Sequence, residues 1–120
     1  MNILIVDDNK RFSEALKFMI LEHFSDRVNE IFMASNGAEG LDFLHKKSID
    51  IVFMDKEMPI MDGVETTKKA VDMYRDLKII AVSFHSELHD ITRMLEAGAR
   101  NYIIKEEITP EIINKCLSKI

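Results

Sequence analysis

Four consecutive apolar residues, Ile51-Val52-Phe53-Met54, end abruptly in a carboxylate, Asp55, and a loop follows, Lys56-Glu57-Met58-Pro59-Ile60-Met61-Asp62-Gly63. An unbroken apolar run of this length, bounded by turn residues, reads as a strand covered on both faces. Such strands belong to parallel sheets flanked by helices, so this run constrains the chain more than any other stretch. Pro59 cannot extend the strand because it has no N–H for the ladder. Asp62 and Glu65 have capping-box spacing, with Gly63 between them, so a helix is expected to open there. Asp55 is thereby placed where a core strand surfaces at its carboxyl end, the rim at which open parallel sheets bind ligands.

The same pattern recurs along the chain. Ile3-Leu4-Ile5-Val6 reads as a first buried strand, stopped by Asp7-Asp8. Asn9 is placed to cap a helix whose apolar positions are Phe12, Ala15, Leu16, Met19 and Ile20. Residues 28–34 mix polar and apolar side chains, as an outer strand would. Asn36, Gly37 and Glu39 mark a second helix, with Ala38, Leu41 and Leu44 expected inward. A third helix after Gly63 carries Val64, Thr67, Val71 and Tyr74. Residues 77–82 form a fourth strand with Ser83 at its carboxyl end. Ser86 is the expected cap of a fourth helix, with Ile91, Met94 and Leu95 facing inward and Gly98 closing it. Tyr102-Ile103-Ile104 reads as the fifth strand, followed by Lys105. Thr109-Pro110 opens the last helix, which is expected to bury Ile112, Ile113, Cys116 and Leu117. Strands alternating with helices in this way predict an α/β doubly wound domain with a parallel sheet.

At 120 residues the length is that of one domain, and residues 1–120 are expected to form it alone. A net charge of −5 weighs against direct nucleic-acid binding, since no basic stripe offsets it. Lys46-Lys47 and Lys68-Lys69 read as solvated pairs. The single cysteine, Cys116, excludes an internal disulfide and fits a reducing, cytoplasmic setting. No apolar run approaches the ~18 residues of a membrane span, and the start does not read as a leader.

Four predicted strands end in a chemically active group: Asp7-Asp8, Asp55, Ser83 and Lys105. In a parallel sheet all carboxyl ends lie on one edge, so these residues are expected to share a pocket. Clustered carboxylates raise one another's pKa, and a divalent cation relieves the repulsion. Hard oxygen ligands in small number suit Mg²⁺ that keeps several waters. Lys105 offers a point charge for a phosphate oxygen, and Ser83 a hydroxyl donor. A carboxylate can attack phosphorus and form an aspartyl-phosphate, a reaction that needs alignment and charge neutralisation above all.

On these residues the chain resembles a two-component response-regulator receiver domain. The resemblance spans the sequence: Asp7-Asp8, Asp55 with Met58-Pro59-Ile60-Met61-Asp62-Gly63, Ser83, Ala97-Gly98-Ala99, and Tyr102 three residues before Lys105. It implies a flavodoxin-like (βα)5 fold with strand order 2-1-3-4-5. It implies Asp55 as phosphoacceptor, Asp8 as direct Mg²⁺ ligand, Asp7 as a ligand acting largely through water, and Glu57 as the donor of a backbone carbonyl. Lys105 and Ser83 match the phosphate-contacting pair, and Tyr102 the aromatic that turns inward when Ser83 engages the phosphoryl group. The implied partners are a sensor histidine kinase or phosphotransfer protein, and a downstream target or output domain, none of which this chain contains. A homodimer formed on phosphorylation is also implied as an option. The affected surface would be the fourth helix, fifth strand and fifth helix.

The sequence departs from the commonest family pattern in four places. Glu106, not proline, follows Lys105, which leaves that peptide cis at a cost of about 3 kcal/mol or trans. Phe84 is large where a small residue is usual. Lys56 puts a positive charge beside the acceptor. Glu57 and His85 occupy positions that tune phosphoryl lifetime in the family. Two other classes compete with a switch. One is an enzyme, either a phosphatase-type phosphotransferase or a flavin carrier. The other is a receiver-like interaction module that is never phosphorylated. A phosphatase of this chemistry usually has a second Asp where Glu57 stands, and Asp7-Asp8 would repel a flavin phosphate. Asp62 reads as a helix cap, Cys116 as core, and His85 with His89 as solvated side chains, not a metal pair.

Overall fold

The strand that ends in Asp55 lies at the centre of the sheet and is buried throughout. The structure, a computed structural model, describes residues 1–118. In chain order the elements are β1 (Asn2–Val6), α1 (Lys10–Phe24), β2 (Glu30–Ala34), α2 (Gly37–Lys46), β3 (Ile51–Asp55) and α3 (Gly63–Met73). They continue with β4 (Lys78–Ser83), α4 (Leu88–Ala97), β5 (Asn101–Ile104), a 3₁₀ turn (Lys105–Glu107) and α5 (Pro110–Cys116). All pairings are parallel and the order is β2-β1-β3-β4-β5, the doubly wound arrangement expected. The order reverses beside β1 and β3, and a crevice at their carboxyl ends is the usual ligand site of such a sheet.

Alternation along the buried strands divides the core into two layers. Leu4, Val6, Val52, Met54, Ile79 and Ala81 pack under α2, α3 and α4 through Leu44, Val64, Ala70 and Met94. Ile3, Ile5, Phe53, Ile80, Val82 and Ile103 face α1 and α5 through Leu16, Ile20, Ile113, Cys116 and Leu117. Helices therefore cover both faces, and Cys116 is core, as its place on the apolar stripe predicts.

The helix starts follow the caps read from sequence in four of five cases. Asn9, Asn36, Asp62 and Thr109 each accept a hydrogen bond from the backbone N–H three residues on. The fifth differs: α4 begins at Leu88 with Glu87 as N-cap and no side-chain cap bond, so Ser86 does not fill that role. The reason is local, since the segment before α4 is held from β4 instead, through Ser83 Oγ accepting from His85 N at 3.0 Å. Three inward assignments also fail. On α1 Ser13 is buried and Ala15 exposed; on α2 Gly37 and Gly40 are buried and Ala38 exposed. On α4 Met94 and Ala97 face the core while Leu95 is 44% exposed. On α2 the two glycines are buried because neighbours approach closely: Gly37 lies against Thr66 of α3 and Met61, and Gly40 against Val6 of β1. At Gly40 an added Cβ would sit 3.0 Å from Val6 Cγ2.

Candidate functional site

The parallel register carries the predicted residues to one rim. Val6 pairs with Met54, and Asp55 pairs with Val82, so Asp7, Asp55 and Ser83 follow one another across the carboxyl edge. Ser83 pairs with Ile104, which brings Lys105 to the same edge. Asp7, Asp55, Ser83 and Lys105 are all buried, whereas Asp8 is exposed. Gly63 fixes the approach of α3: its N–H donates to Lys56 O at 2.8 Å. A Cβ there would overlap the Asp55 carbonyl oxygen and lie 2.7 Å from Lys56 Cα, so any larger residue would push the acceptor loop away.

Lys105 joins the acids. Its Nζ lies 2.6 Å from Asp7 Oδ2 and 3.4 Å from Asp55 Oδ1, with the lysine side chain only 4% exposed. Asp7 Oδ1 accepts from Asn9 N at 2.8 Å. Its buried Oδ2 has the ammonium close by but no well-aligned hydrogen-bond donor. Carboxylate oxygens of Asp7, Asp8 and Asp55 all lie within 4.8 Å of one another. Three acids against one lysine leave the cluster net negative. Burial first, and the Asp7 carboxylate second, push Asp55 up to about 7, against the pull of the Lys105 ammonium and a backbone hydrogen bond from Glu57. An under-satisfied buried oxygen, mutual repulsion and an all-oxygen donor set are the conditions a hard divalent cation satisfies.

The outer residues are tied in pairs. Glu57 turns its carboxylate to His85 Nε2. Tyr102, half-buried, donates its hydroxyl to His85 O at 2.8 Å. Burial raises its phenol above the usual range, opposed by the Ser83 hydroxyl. The Lys56 charge does not point at Asp55, as its place in the sequence suggested: Nζ pairs with Asp90 Oδ1 at 3.0 Å on α4. The Lys105–Glu106 peptide is trans, since the described residues hold no cis bond. Sequence reading missed Lys56–Asp90 and the two rings beside Lys105, those of Phe12 and Phe84. Only the phenylalanine types were visible there, with nothing to join positions so far apart.

The cavity beside the acids, lined by Asp7, Asp8, Lys10, Ser13 and Ser35, holds about 210 Å³. That is below the ~300–1,000 Å³ of small-molecule sites. A larger cleft of about 400 Å³ lies at the opposite rim, among Leu44, Tyr74 and Leu77, away from these groups.

The fold and rim define a doubly wound α/β protein with an acidic, lysine-bearing pocket at its switch point. The chain belongs to the response regulator receiver domain family, which matches residues 3–117. It is 32% identical over 123 residues to a chemotaxis protein CheY homolog of Campylobacter jejuni, covering 100% of this chain and 92% of that protein. It is 31% identical over 113 residues to the transcriptional regulatory protein YhcZ of Bacillus subtilis, covering 94% of this chain and 52% of that one. The chain spans about half the length of several curated relatives of this second kind. Among solved structures, a CheY-like receiver domain of Methanospirillum hungatei superposes with TM-score 0.83 at 26% identity, covering 95% of this chain and 87% of that one.

Proposed function

We propose that this chain is the phosphorylation-controlled switch of a two-component pathway, with Asp55 as phosphoacceptor. The observation that carries the reading is the convergence of Lys105 Nζ on Asp7 and Asp55 at a rim bearing three carboxylates. The donor is a phosphohistidine on a sensor kinase or phosphotransfer protein. An Asp55 carboxylate oxygen attacks the phosphorus, a P–O bond forms, the P–N bond breaks, and the imidazole leaves with its electron pair. When bound, Mg²⁺ held by Asp8, Asp55, the Glu57 carbonyl and, through water, Asp7 supplies charge neutralisation for the phosphoryl oxygens.

The chain's own residues do the rest. Lys105 offers its remaining N–H directions to a phosphoryl oxygen. Ser83 accepts from His85 N at present, which leaves its own O–H free to donate to the same group. Because His85 O also holds the Tyr102 hydroxyl, a pull on Ser83 is passed to β5. The readout surface is then α4, β5 and α5, facing a downstream protein, an output domain or a second phosphorylated copy. No dedicated turnover is proposed: the small cavity and the commitment of Glu57 to His85 favour a self-modifying switch over a phosphatase. The lone, buried cysteine supports a reducing, cytoplasmic setting. No helix among the described residues is long and apolar enough to cross a membrane.

The test is an amide NMR titration with beryllofluoride and Mg²⁺. Wild type shifts resonances around Asp55, Ser83 and Tyr102, and Asp55→Ala does not. Identical spectra for the two proteins would end the reading.

A further inference from the structure

Burying an ammonium strips it of water, and the loss must be made good by nearby groups. Lys105 has two carboxylates, Asp7 and Asp55, and two aromatic faces. Its Nζ lies 4.4 Å from the ring centroid of Phe12 on α1 and 5.0 Å from that of Phe84, just past β4. Both distances are inside the ~6 Å at which a ring quadrupole attracts a cation. The two rings are 72 positions apart in the chain (12 and 84) and differ in setting. Phe12 is half-buried and packs against the core layer under α1, while Phe84 is 53% exposed. Phe12 is thus an inner wall and Phe84 an outer one.

We propose that Phe12 and Phe84 are positioning residues that hold the Lys105 ammonium between their rings and aim it at the phosphoryl site. An ammonium has three donors. The Asp7 and Asp55 carboxylates draw two of them, with Nζ 2.6 Å and 3.4 Å from their oxygens, although the Asp7 contact is not aligned as a hydrogen bond. A ring face attracts the charge without being a fixed acceptor, so the third N–H stays free for an incoming oxygen while water is kept away. A large residue at position 84, where a small one is usual in the family, then serves the site. The inference rests on the phosphoacceptor reading, but the cage itself can be tested apart from it.

The test has two arms on the full chain. In the first, NMR of Lys105 reads the ε-methylene protons, which two nearby ring faces shift upfield. Wild type and Phe84→Tyr show the upfield shift, and Phe84→Leu loses a large part of it. Phe84 is exposed, so these variants fold; Phe12→Leu and Phe12→Tyr repeat the comparison at the inner wall. In the second, beryllofluoride with Mg²⁺ is titrated into each protein. Phe84→Leu and Phe12→Leu each weaken binding about tenfold, the scale of one desolvated cation–π contact, and the Tyr variants restore it. Leucine keeps apolar bulk, so equal shifts and equal affinities for Leu and Phe would overturn the proposal. If wild type binds no more beryllofluoride than Asp55→Ala, the phosphoacceptor reading has failed, and the first arm still decides whether the rings hold the ammonium.

Discussion

Lys56, the residue after the proposed acceptor, reaches across to α4 and pairs with Asp90, Nζ to Oδ1 at 3.0 Å. Both side chains are partly enclosed, 12% and 18% exposed, so water screens this pair less than an ion pair in the open. The Lys56 ammonium, by hydrogen bond and by charge, holds the Asp90 carboxyl below the usual carboxylate range. The contact ties the loop that follows Asp55 to the first turn of the helix proposed to report its state.

Breaking that tie is expected to loosen α4 more than the rest of the fold. Lys56→Met and Asp90→Asn should both speed amide hydrogen exchange at residues 88–91, where no side-chain cap secures the helix. The double variant should add little, as coupled residues do. Unchanged exchange at α4 in both single variants would show that the pair is idle.

The raised Asp55 carboxyl makes stability depend on pH. Its value of about 7, against an ordinary 3.8, means that the folded chain holds this proton more tightly than the unfolded one. Its stabilising contribution is therefore complete below the ordinary value and is lost as pH rises through the folded one. Urea denaturation in chelator should show wild type losing more stability than Asp55→Asn between about pH 5 and pH 8. Added Mg²⁺ should reverse the loss, because a cation favours the ionised carboxylate. Parallel profiles for the two proteins would contradict the assignment.

Asp8 separates cation binding from folding, because it is the exposed member of the acidic cluster. Asp8→Asn should leave metal-free stability within about 0.5 kcal/mol of wild type. It should also abolish most of the rise in Tm that Mg²⁺ gives wild type by mass action. A full Mg²⁺ response in this variant would remove Asp8 from the ligand set.

Ile60 stores strain in the loop between β3 and α3. It is a β-branched residue with φ of 73°, and it is 85% exposed. Its side chain does little packing to offset a left-handed backbone. Ile60→Asn should stabilise the fold by about 0.5–1 kcal/mol in denaturant titration. A loss of stability would mean that the isoleucine side chain holds the loop by contacts that outweigh the strain.

Strand ends were the legible part of this sequence. The runs before Asp7, Asp55 and Lys105 are apolar without break, and parallel pairing leaves little freedom in where such runs stop, so the rim followed from them. Caps were legible where a side chain of the right length stood three residues before its donor, as at Asn9 and Asp62, and failed at Ser86, where Ser83 holds the loop instead. Helix faces were harder. Ala15 and Ala38 look like core from spacing alone, but Ser13, Gly37 and Gly40 are the buried positions, Gly40 against Val6 of β1 and Gly37 against Thr66 of α3. Lys56–Asp90 and the rings around Lys105 were invisible for another reason. They join loop residues to helices far along the chain, and no periodicity links such positions.

Covalent modification of Asp55 tests the whole account most directly. The chain is incubated with phosphoramidate and Mg²⁺, followed by intact-mass spectrometry and borohydride trapping of the acyl phosphate. Wild type should gain one phosphoryl group, trapped at Asp55; Asp55→Ala should gain none, and Lys105→Met far less than wild type. A phosphoryl group found on another residue, or the same mass in wild type and Asp55→Ala, would contradict it.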